Sequence, residues 1–257
     1  MVQKVFDREK QMSLEGRKVA IVALGSSFYD FVMSRMNSNE FDEIWGINSV
    51  GGIFHVDRTF MMDPAARFLD DDKAGTQTGI GREFLLATQN KGPIYSCCTD
   101  DRVPEIEHYP LEEVVTYTGY SYFNNTVAYA IAFAIWQKVG TLHLYGMDFS
   151  YKQNVHLAEA GRSCVEFWCA IALSKGTKIE VAPKSGLLDT NVPIDEKLYG
   201  YHRLEDPLVQ TVVNGDLFIG KKSECEKLLK PQQELTPPEP KDGVVIGRHD
   251  IKGVNYD

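Results

Sequence analysis

The chain has 257 residues, a formal charge of −9 at pH 7 and a sequence pI of about 5.2. Hydrophobic residues make up 43% and charged residues 25%, which is ordinary globular composition, and the length allows one large domain or a domain with an appendage. The acidic balance argues against a generic basic surface for nucleic acids.

The cysteines and the amino terminus indicate a reducing compartment. The five cysteines are an odd number and include no Cys-x-x-Cys pair, which argues against a disulfide framework. Residues 1–15 are charged and lack the apolar core of a signal peptide, and the chain contains no run of about 18 apolar residues. We therefore expect a cytoplasmic protein that does not cross a membrane.

The first predicted elements are a buried strand, a turn of small residues and a helix. Residues 18–24 form an apolar run, which is typical of a strand covered on both faces. Gly25, Ser26 and Ser27 end it, and helical spacing of apolar residues follows over 28–36. Such a turn can aim backbone N–H groups at an anion, although a plain strand-to-helix turn is an equal interpretation. Neither a dinucleotide fingerprint nor a P-loop is present.

Three further strands are predicted over residues 43–48, 57–62 and 93–98. The second strand of the chain ends at Asn48 and Ser49, whose amide and hydroxyl can contact a nucleotide or cap a helix. The third strand stops at Asp63, which precedes a proline.

The segments between these strands carry fewer signals. Residues 69–81 contain three successive aspartates and three glycines, which predict a mobile surface loop. Asp70, Asp71 and Asp72 are interpreted as a solvated acidic loop or as a divalent metal site, and the first interpretation is more common. Residues 103–118 are predicted to be irregular.

The clearest helix covers residues 126–136 and leads directly into another strand. Asn124 or Asn125 supplies its N-cap, and its apolar and small residues indicate burial on all sides. A strand over 142–145 follows and runs into Gly146 and Asp148. In an open α/β sheet this is the position where ligands bind, beyond the carboxyl end of a strand.

A second long helix is predicted over the residues between Tyr151 and Leu173. Arg162 and Glu166 lie four apart on one face of it, and Glu159 precedes Arg162 by three. This pairing holds Arg162 toward a phosphate or attaches the helix to its neighbours, and the sequence favours neither. Residues 177–182 then predict a sixth strand at an exposed edge of the sheet.

Beyond residue 198 the pattern weakens, so we divide the chain into a domain over 1–198 and an extension over 199–257. A hairpin around Asn214-Gly215 and a helical turn from Cys225 are predicted in the extension. A proline-rich linker occupies 235–240 and a tail occupies 244–257. The tail is expected to dock on the body or on a partner chain, which would give a homo-oligomer.

Strands that alternate with helices predict an α/β fold with a doubly wound, mainly parallel, Rossmann-like sheet of about six strands and helices on both faces. Polar residues fall at the ends of successive strands and would meet at one edge of that sheet, beside the helix that starts after Asn125. A small-molecule site is therefore expected there, and helix N-termini favour an anionic ligand such as a nucleotide phosphate. These strand-end residues are Ser26, Ser27, Asn48, Ser49, Asp63, Thr99 and Asp148.

Four short motifs, in this order, resemble a nucleotide-using superfamily that contains the bacterial sialyltransferases and the MptE-like (DUF115) pyrophosphokinase relatives. Residues 123–188 also look like bacteriophage proteins described as glycosyltransferases or Rossmann-like proteins. The resemblance covers roughly residues 18–190. The motifs are Gly25-Ser26-Ser27, Asn48-Ser49, Asn124-Asn125-Thr126 and the run LYGMDF over 144–149.

The resemblance implies a metal-independent glycosyltransferase that uses a nucleotide-sugar donor. It places Tyr151 near the leaving phosphate and implies a histidine as the base, for which His156 is the candidate; Asp148 would orient the sugar or His156. A phage origin would make a hydroxymethylated DNA base a candidate acceptor, against which the acidic charge counts. The expected donor-binding residues are Gly25, Ser26, Ser27, Asn48, Ser49, Asp63, Asn124, Asn125, Thr126, Gly146, Tyr151, Glu159 and Arg162.

Two other functions stay open. An MptE-like enzyme that transfers a phosphoryl or pyrophosphoryl group would need Mg²⁺ and could use residues 70–72 or Asp148. A nucleotide-binding module without catalysis would use the same edge of the sheet. The sequence does not identify the sugar, the nucleotide base or the acceptor.

Overall fold

The computed structural model describes residues 14–37, 40–75, 78–87, 92–150, 155–193, 197–200, 206, 208–213 and 216–228. These residues fall into two compact units. The first extends to Asn191 and the second begins at Val192.

The first unit is built on one parallel sheet of seven strands, which confirms the doubly wound α/β prediction. From edge to edge the strand order is β5-β4-β3-β2-β1-β6-β7. The strands are β1 (Lys18–Val22), β2 (Glu43–Ile47), β3 (Arg58–Phe60), β4 (Ile94–Ser96), β5 (Ile106–His108), β6 (Thr141–Tyr145) and β7 (Lys178–Val181).

Helices cover both faces of this sheet, and two 3₁₀ turns, at Asn48–Gly52 and Leu187–Asp189, follow β2 and β7. The predicted helices over 28–36 and 126–136 are confirmed within one residue. The helices are α1 (Phe28–Asn37), α2 (Ala65–Asp70), α3 (Thr78–Leu86), α4 (Leu111–Thr118), α5 (Thr126–Trp136) and α6 (Val155–Ser174).

Two local predictions were wrong. Residues 103–118 contain β5 and α4 rather than irregular chain; β5 has three residues, of which only Ile106 is buried, so no alternation was visible. Residues 69–81 contain the last residues of α2 and the first residues of α3 rather than forming one loop. Their aspartates form ion pairs, Asp70 with Arg102 and Asp72 with Arg82. Within the described ranges, no group of three or more His, Cys, Asp or Glu side chains is placed to hold a metal ion.

The core is organised around the central strands and α5. Residues 19–22 of β1 are fully buried, and so are Leu142 and Leu144 of β6. On α5, alternate alanines keep the helix thin, and Phe133 packs edge-to-face on Trp45 and Phe60 of the sheet. This packing fixes α5 against the sheet, so the position of its N-terminus is set by the core.

A crevice lies where the neighbouring strands β1 and β6 end. β1 pairs with β2 on one side and with β6 on the other, so the helices that leave β1 and β6 go to opposite faces of the sheet. In open α/β sheets, ligands bind beyond the carboxyl ends of the strands at such a switch point. The topology therefore selects one position on the edge predicted from the polar strand ends.

The second unit is a hairpin followed by a short helix. Strands β8 (Leu208–Val213) and β9 (Asp216–Lys221) pair in antiparallel fashion and lead into α7 (Lys222–Leu228). The predicted hairpin and helical turn are thus confirmed, whereas the proline-rich linker and the tail lie outside the described residues. No helix in the described part of the chain is long and apolar enough to cross a membrane.

Candidate functional site

A cavity of about 590 Å³ lies at the carboxyl ends of β1, β2 and β6, beside the N-terminus of α5. Its volume is within the range of small-molecule sites in proteins. The residues that line it are Ala23, Leu24, Gly25, Ser26, Ile47, Asn48, Asn125, Thr126, Val127, Gly146, Met147, Asp148, Phe149 and Ser150.

The turns that follow β1 and β6 are joined by hydrogen bonds among Gly25, Ser26, Ser27, Gly146 and Asp148, an arrangement that we call the clasp. Asp148 Oδ2 accepts hydrogen bonds from the Ser27 backbone N–H at 2.7 Å and from Ser26 Oγ at 3.0 Å. Ser27 Oγ accepts from the Gly146 N–H at 2.9 Å, and the Gly25 N–H donates to the Gly146 carbonyl at 2.8 Å. Four bonds therefore join the two turns that follow β1 and β6.

The clasp has no room for a side chain at Gly25 or Gly146. Gly146 has a φ of +71°, and a Cβ there would lie 2.0 Å from the Ala23 carbonyl oxygen. A Cβ on Gly25 would lie 2.5 Å from Asp148 Oδ2 and 2.6 Å from the Gly146 carbonyl oxygen. The two turns can approach this closely only because neither position carries a side chain.

The clasp changes the interpretation of the turn after β1. The sequence left open whether Gly25, Ser26 and Ser27 offer backbone N–H groups to an anion or form a plain strand-to-helix turn. The N–H groups of Gly25 and Ser27 are instead bonded to Gly146 and Asp148. The Asp148 carboxylate at this turn also repels negative charge.

The N-terminus of α5 is the electropositive part of the cavity. Asn125 is the N-cap: its Oδ1 accepts from the Ala128 N–H at 3.1 Å, and its Nδ2 donates to Asn124 Oδ1 and to the Gly161 carbonyl. The side chains of both asparagines are thus held against α6, since Asn124 donates to the Ala160 carbonyl at 2.9 Å. Thr126 and Val127 begin the helix and line the cavity, where first-turn N–H groups and the helix dipole attract anions.

Two buried oxygens in the cavity wall lack partners. Asn48 Oδ1 and Asp148 Oδ1 are buried and accept no hydrogen bond from the part of the chain that the structure describes. An unsatisfied buried acceptor costs about 1–3 kcal/mol. Asn48 also has a φ of +53°, a left-handed conformation that is uncommon outside glycine. Two unpaired acceptors and a left-handed backbone conformation thus lie in one wall of the cavity.

A second cavity of about 210 Å³ adjoins the first, and Asn48 lines both. Ser49 and Asp63 were predicted to join the other strand-end residues, but they line this smaller cavity instead. For Asp63 the reason is that β3 lies one strand further from β1 than β2 does. Its remaining lining residues are Met61, Arg67, Phe68, Ala74, Gly75, Thr78 and Gly81.

The first half of α6 is not brought into either cavity. The side chain of His156 is 84% exposed, and its Nδ1 lies 4.0 Å from Glu159 Oε2. Arg162 donates to Glu166 Oε1 at 2.8 Å and to Asp189 Oδ1 at 2.6 Å. The hydrogen bond to Glu166, which has the larger effect, and the hydrogen bond to Asp189 both raise the pKa of Arg162.

Arg162 therefore attaches α6 to the 3₁₀ turn after β7, which is one of the two interpretations that the sequence left open. Glu166 completes this contact by accepting a hydrogen bond from the Leu188 N–H at 2.9 Å. Tyr151, the residue expected near a leaving phosphate, lies outside the described residues.

A groove of about 800 Å³ beside α1 is larger but less suited to a polar ligand. Apolar side chains such as Phe31, Phe41 and Phe54 dominate its wall. Its polar side chains are Arg35, His55 and Asp57, and the carboxylate of Asp57 already accepts a hydrogen bond from the Ile44 N–H at 2.7 Å. The smaller but more polar cavity is therefore the candidate site.

Several lining residues were not anticipated from the sequence. Ala23, Ile47, Met147 and Ser150 contribute because they flank the predicted strand ends. Arg67 and Thr78 line the second cavity. Arg67 could have been found from its spacing four residues after Asp63, which places a charge pair on one helical turn.

No family model matches the sequence, and no curated protein matches it either. Among solved structures, a variant of the α-2,3/8-sialyltransferase CstII is similar over 82% of this chain and 99% of that chain, with 16% identity and a TM-score of 0.43. An α-2,3-sialyltransferase from Campylobacter jejuni in apo form is similar over 69% and 79%, with 15% identity and a TM-score of 0.42. CstII from Campylobacter jejuni in complex with the substrate analogue CMP-3FNeuAc is similar over 82% and 98%, with 18% identity and a TM-score of 0.40.

Proposed function

We propose that the 590 Å³ cavity binds a nucleotide-sugar and that the protein is a glycosyltransferase. The observation that carries the proposal is the pairing of opposite polarities within one cavity. Two unpartnered oxygens, on Asn48 and Asp148, require hydrogen-bond donors, while the first turn of α5 attracts an anion. A nucleotide offers both, because its ribose hydroxyls and base amino groups donate and its phosphate is negative.

The same polarity orients the ligand. The nucleoside lies against the clasp, where Asp148 Oδ1 accepts from its hydroxyl or amino groups, and Asn48 Oδ1, on the side of the second cavity, accepts from a hydroxyl of the transferred sugar. The phosphate lies at Thr126 and Val127, away from the Asp148 carboxylate. The phosphate lies at α5 rather than at the turn after β1, because the clasp already uses the N–H groups of Gly25 and Ser27.

In the transfer step, the acceptor hydroxyl attacks the anomeric carbon while the bond from that carbon to the phosphate oxygen breaks. Negative charge grows on the departing phosphate, and the N-terminus of α5 is placed to stabilise it. Asp148 acts on the nucleoside and not on the reacting atoms. The sugar and its acceptor extend from the phosphate toward the second cavity.

A thermal-shift screen with CMP-, UDP-, GDP- and ADP-linked sugars tests this proposal. One of the four should stabilise the protein, by about 2.7 kcal/mol at 100 times its dissociation constant. The free sugar serves as the control and should give no shift, because it lacks the groups that the clasp and α5 bind. Absence of stabilisation by all four compounds at millimolar concentration would contradict the proposal.

Transfer of a pyrophosphoryl group is the second candidate, and one observation favours it. Carboxylate and amide oxygens are ligands for Mg²⁺, so Asp148 Oδ1 and Asn48 Oδ1 could hold a cation instead of ribose. The two functions differ in their metal dependence. Nucleotide binding and turnover that persist in excess EDTA support glycosyl transfer, and loss of both with recovery on addition of Mg²⁺ supports the alternative.

A further inference from the structure

The 210 Å³ cavity contains a carboxylate at the end of β3. Among the described residues that line it, Asp63 is the acidic one, and Arg67 is its charged partner. The volume corresponds to about seven waters at roughly 30 Å³ each, which suits a single small ring rather than a nucleotide. Because Asn48 lines both cavities, a group bound here lies beside the proposed donor.

Asp63 is held in place by two contacts. Its carbonyl oxygen accepts a hydrogen bond from Ser96 Oγ at 3.2 Å, and the Ser96 side chain is buried on β4. Its carboxylate Oδ1 accepts from Arg67 Nη1, while Arg67 Nη2 reaches the Ala74 carbonyl at 3.4 Å. Within the described ranges Oδ2 takes no hydrogen bond, so one carboxylate oxygen is oriented and available.

We propose that the smaller cavity binds the acceptor and that Asp63 is the general base. The step rests on the glycosyl transfer proposed above. The acceptor oxygen forms a bond to the anomeric carbon, and its proton moves to Asp63 Oδ2. The bond from the anomeric carbon to the phosphate breaks, and its electron pair remains on the phosphate oxygen at the N-terminus of α5. Arg67 positions Asp63 and does not contact the reacting atoms.

Asp63 suits this role better than His156. A base must come within hydrogen-bond reach of the proton that it removes. Asp63 lines a cavity that shares a residue with the donor cavity, whereas His156 is largely exposed on α6 and lines neither.

The first test uses the nucleotide-linked sugar that stabilises the protein most in the screen. Turnover is measured as hydrolysis of this donor, in which water serves as the acceptor and the free nucleotide is released. Asp63→Asn should lower turnover by about 10²- to 10⁴-fold, with the dissociation constant of the donor unchanged. Asp100→Asn is the matched control, since Asp100 is also an arginine-paired aspartate after a strand but lines neither cavity. It should keep wild-type turnover.

Chemical rescue separates a base from a structural residue. Added formate should restore part of the turnover of Asp63→Ala, because a small carboxylate can occupy the vacated space, and should not raise that of the wild type. Wild-type turnover in Asp63→Asn, or no rescue in an Asp63→Ala protein that still binds donor, would overturn the proposal. Loss of turnover in His156→Ala alone would assign the base to His156. Failure of every nucleotide-sugar to bind would instead contradict the proposed function.

Discussion

Replacing Gly146 with alanine should destabilise the first unit by at least about 3 kcal/mol. A left-handed residue with a Cβ costs about 1–2 kcal/mol on its own. Here the Cβ would also lie 2.0 Å from the carbonyl oxygen of Ala23, which directly follows β1 and which the backbone cannot easily move away. The clasp would have to open, so nucleotide binding should be lost as well. Urea unfolding followed by circular dichroism measures the change.

Gly176 provides the matched control. Its φ of +92° is also left-handed, but a Cβ there would meet no heavy atom within 4 Å. Gly176→Ala should therefore cost about 1–2 kcal/mol, the conformational cost alone, and leave nucleotide binding intact. Equal losses of stability in the two variants would show that close approach between the turns is not what requires Gly146.

Substitution of Asp148 should separate the two uses of its carboxylate. Asp148→Ala removes the acceptor for Ser26 and Ser27, so it should lower stability by about 1–3 kcal/mol and weaken nucleotide binding at least about tenfold. Asp148→Asn can keep its amide oxygen on Ser27 and turn its NH₂ group toward the ligand. That replaces an acceptor by a donor where the ligand itself donates.

Asp148→Asn should therefore lose less stability than Asp148→Ala but weaken nucleotide binding about tenfold or more, which corresponds to about 1.4 kcal/mol. Calorimetric titration and thermal melting measure the two quantities. Ser26→Ala is the control, because it removes one donor to Asp148 Oδ2 without changing Oδ1. Wild-type affinity in Asp148→Asn would mean that Oδ1 does not contact the ligand.

The sheet was predictable because its central strands are buried on both faces. Continuous apolar runs identified β1 and β6, and the small and apolar residues of α5 identified its burial. The peripheral strand β5 was missed, because three residues with one buried side chain carry no detectable period. The hydrophobic pattern of the sequence thus identified the central strands of the sheet better than its edge strand.

The site was predictable in position but not in its bonding. Strand-end residues such as Gly25, Asn48 and Asp148 do line one cavity, as parallel topology requires. The sequence could not show that Asp148 bonds back to the turn after β1, since the two are separated by more than 100 residues and no local period relates them. That contact occupies a backbone N–H group that could otherwise face an anion at this turn.

The separation into two cavities depended on distances across the sheet. Asn48 and Asp63 both end strands, yet the order of the strands puts Asp63 one position further from β1 and into the smaller cavity. The exposure of His156 also depended on how α6 is oriented, which its sequence does not specify. Residue type suggested a histidine base, whereas the position in the fold favours an aspartate.

Two-dimensional amide NMR spectra recorded during titration with the stabilising nucleotide would test the central claim most directly. If the nucleotide binds in the 590 Å³ cavity in the proposed orientation, the amide signals of Gly25, Asn48, Val127 and Gly146 should shift together and saturate at one dissociation constant. Those of Val32 and Ile53, which line the apolar groove, should stay in place. Saturating shifts confined to the groove, with the four cavity amides unchanged, would contradict the account.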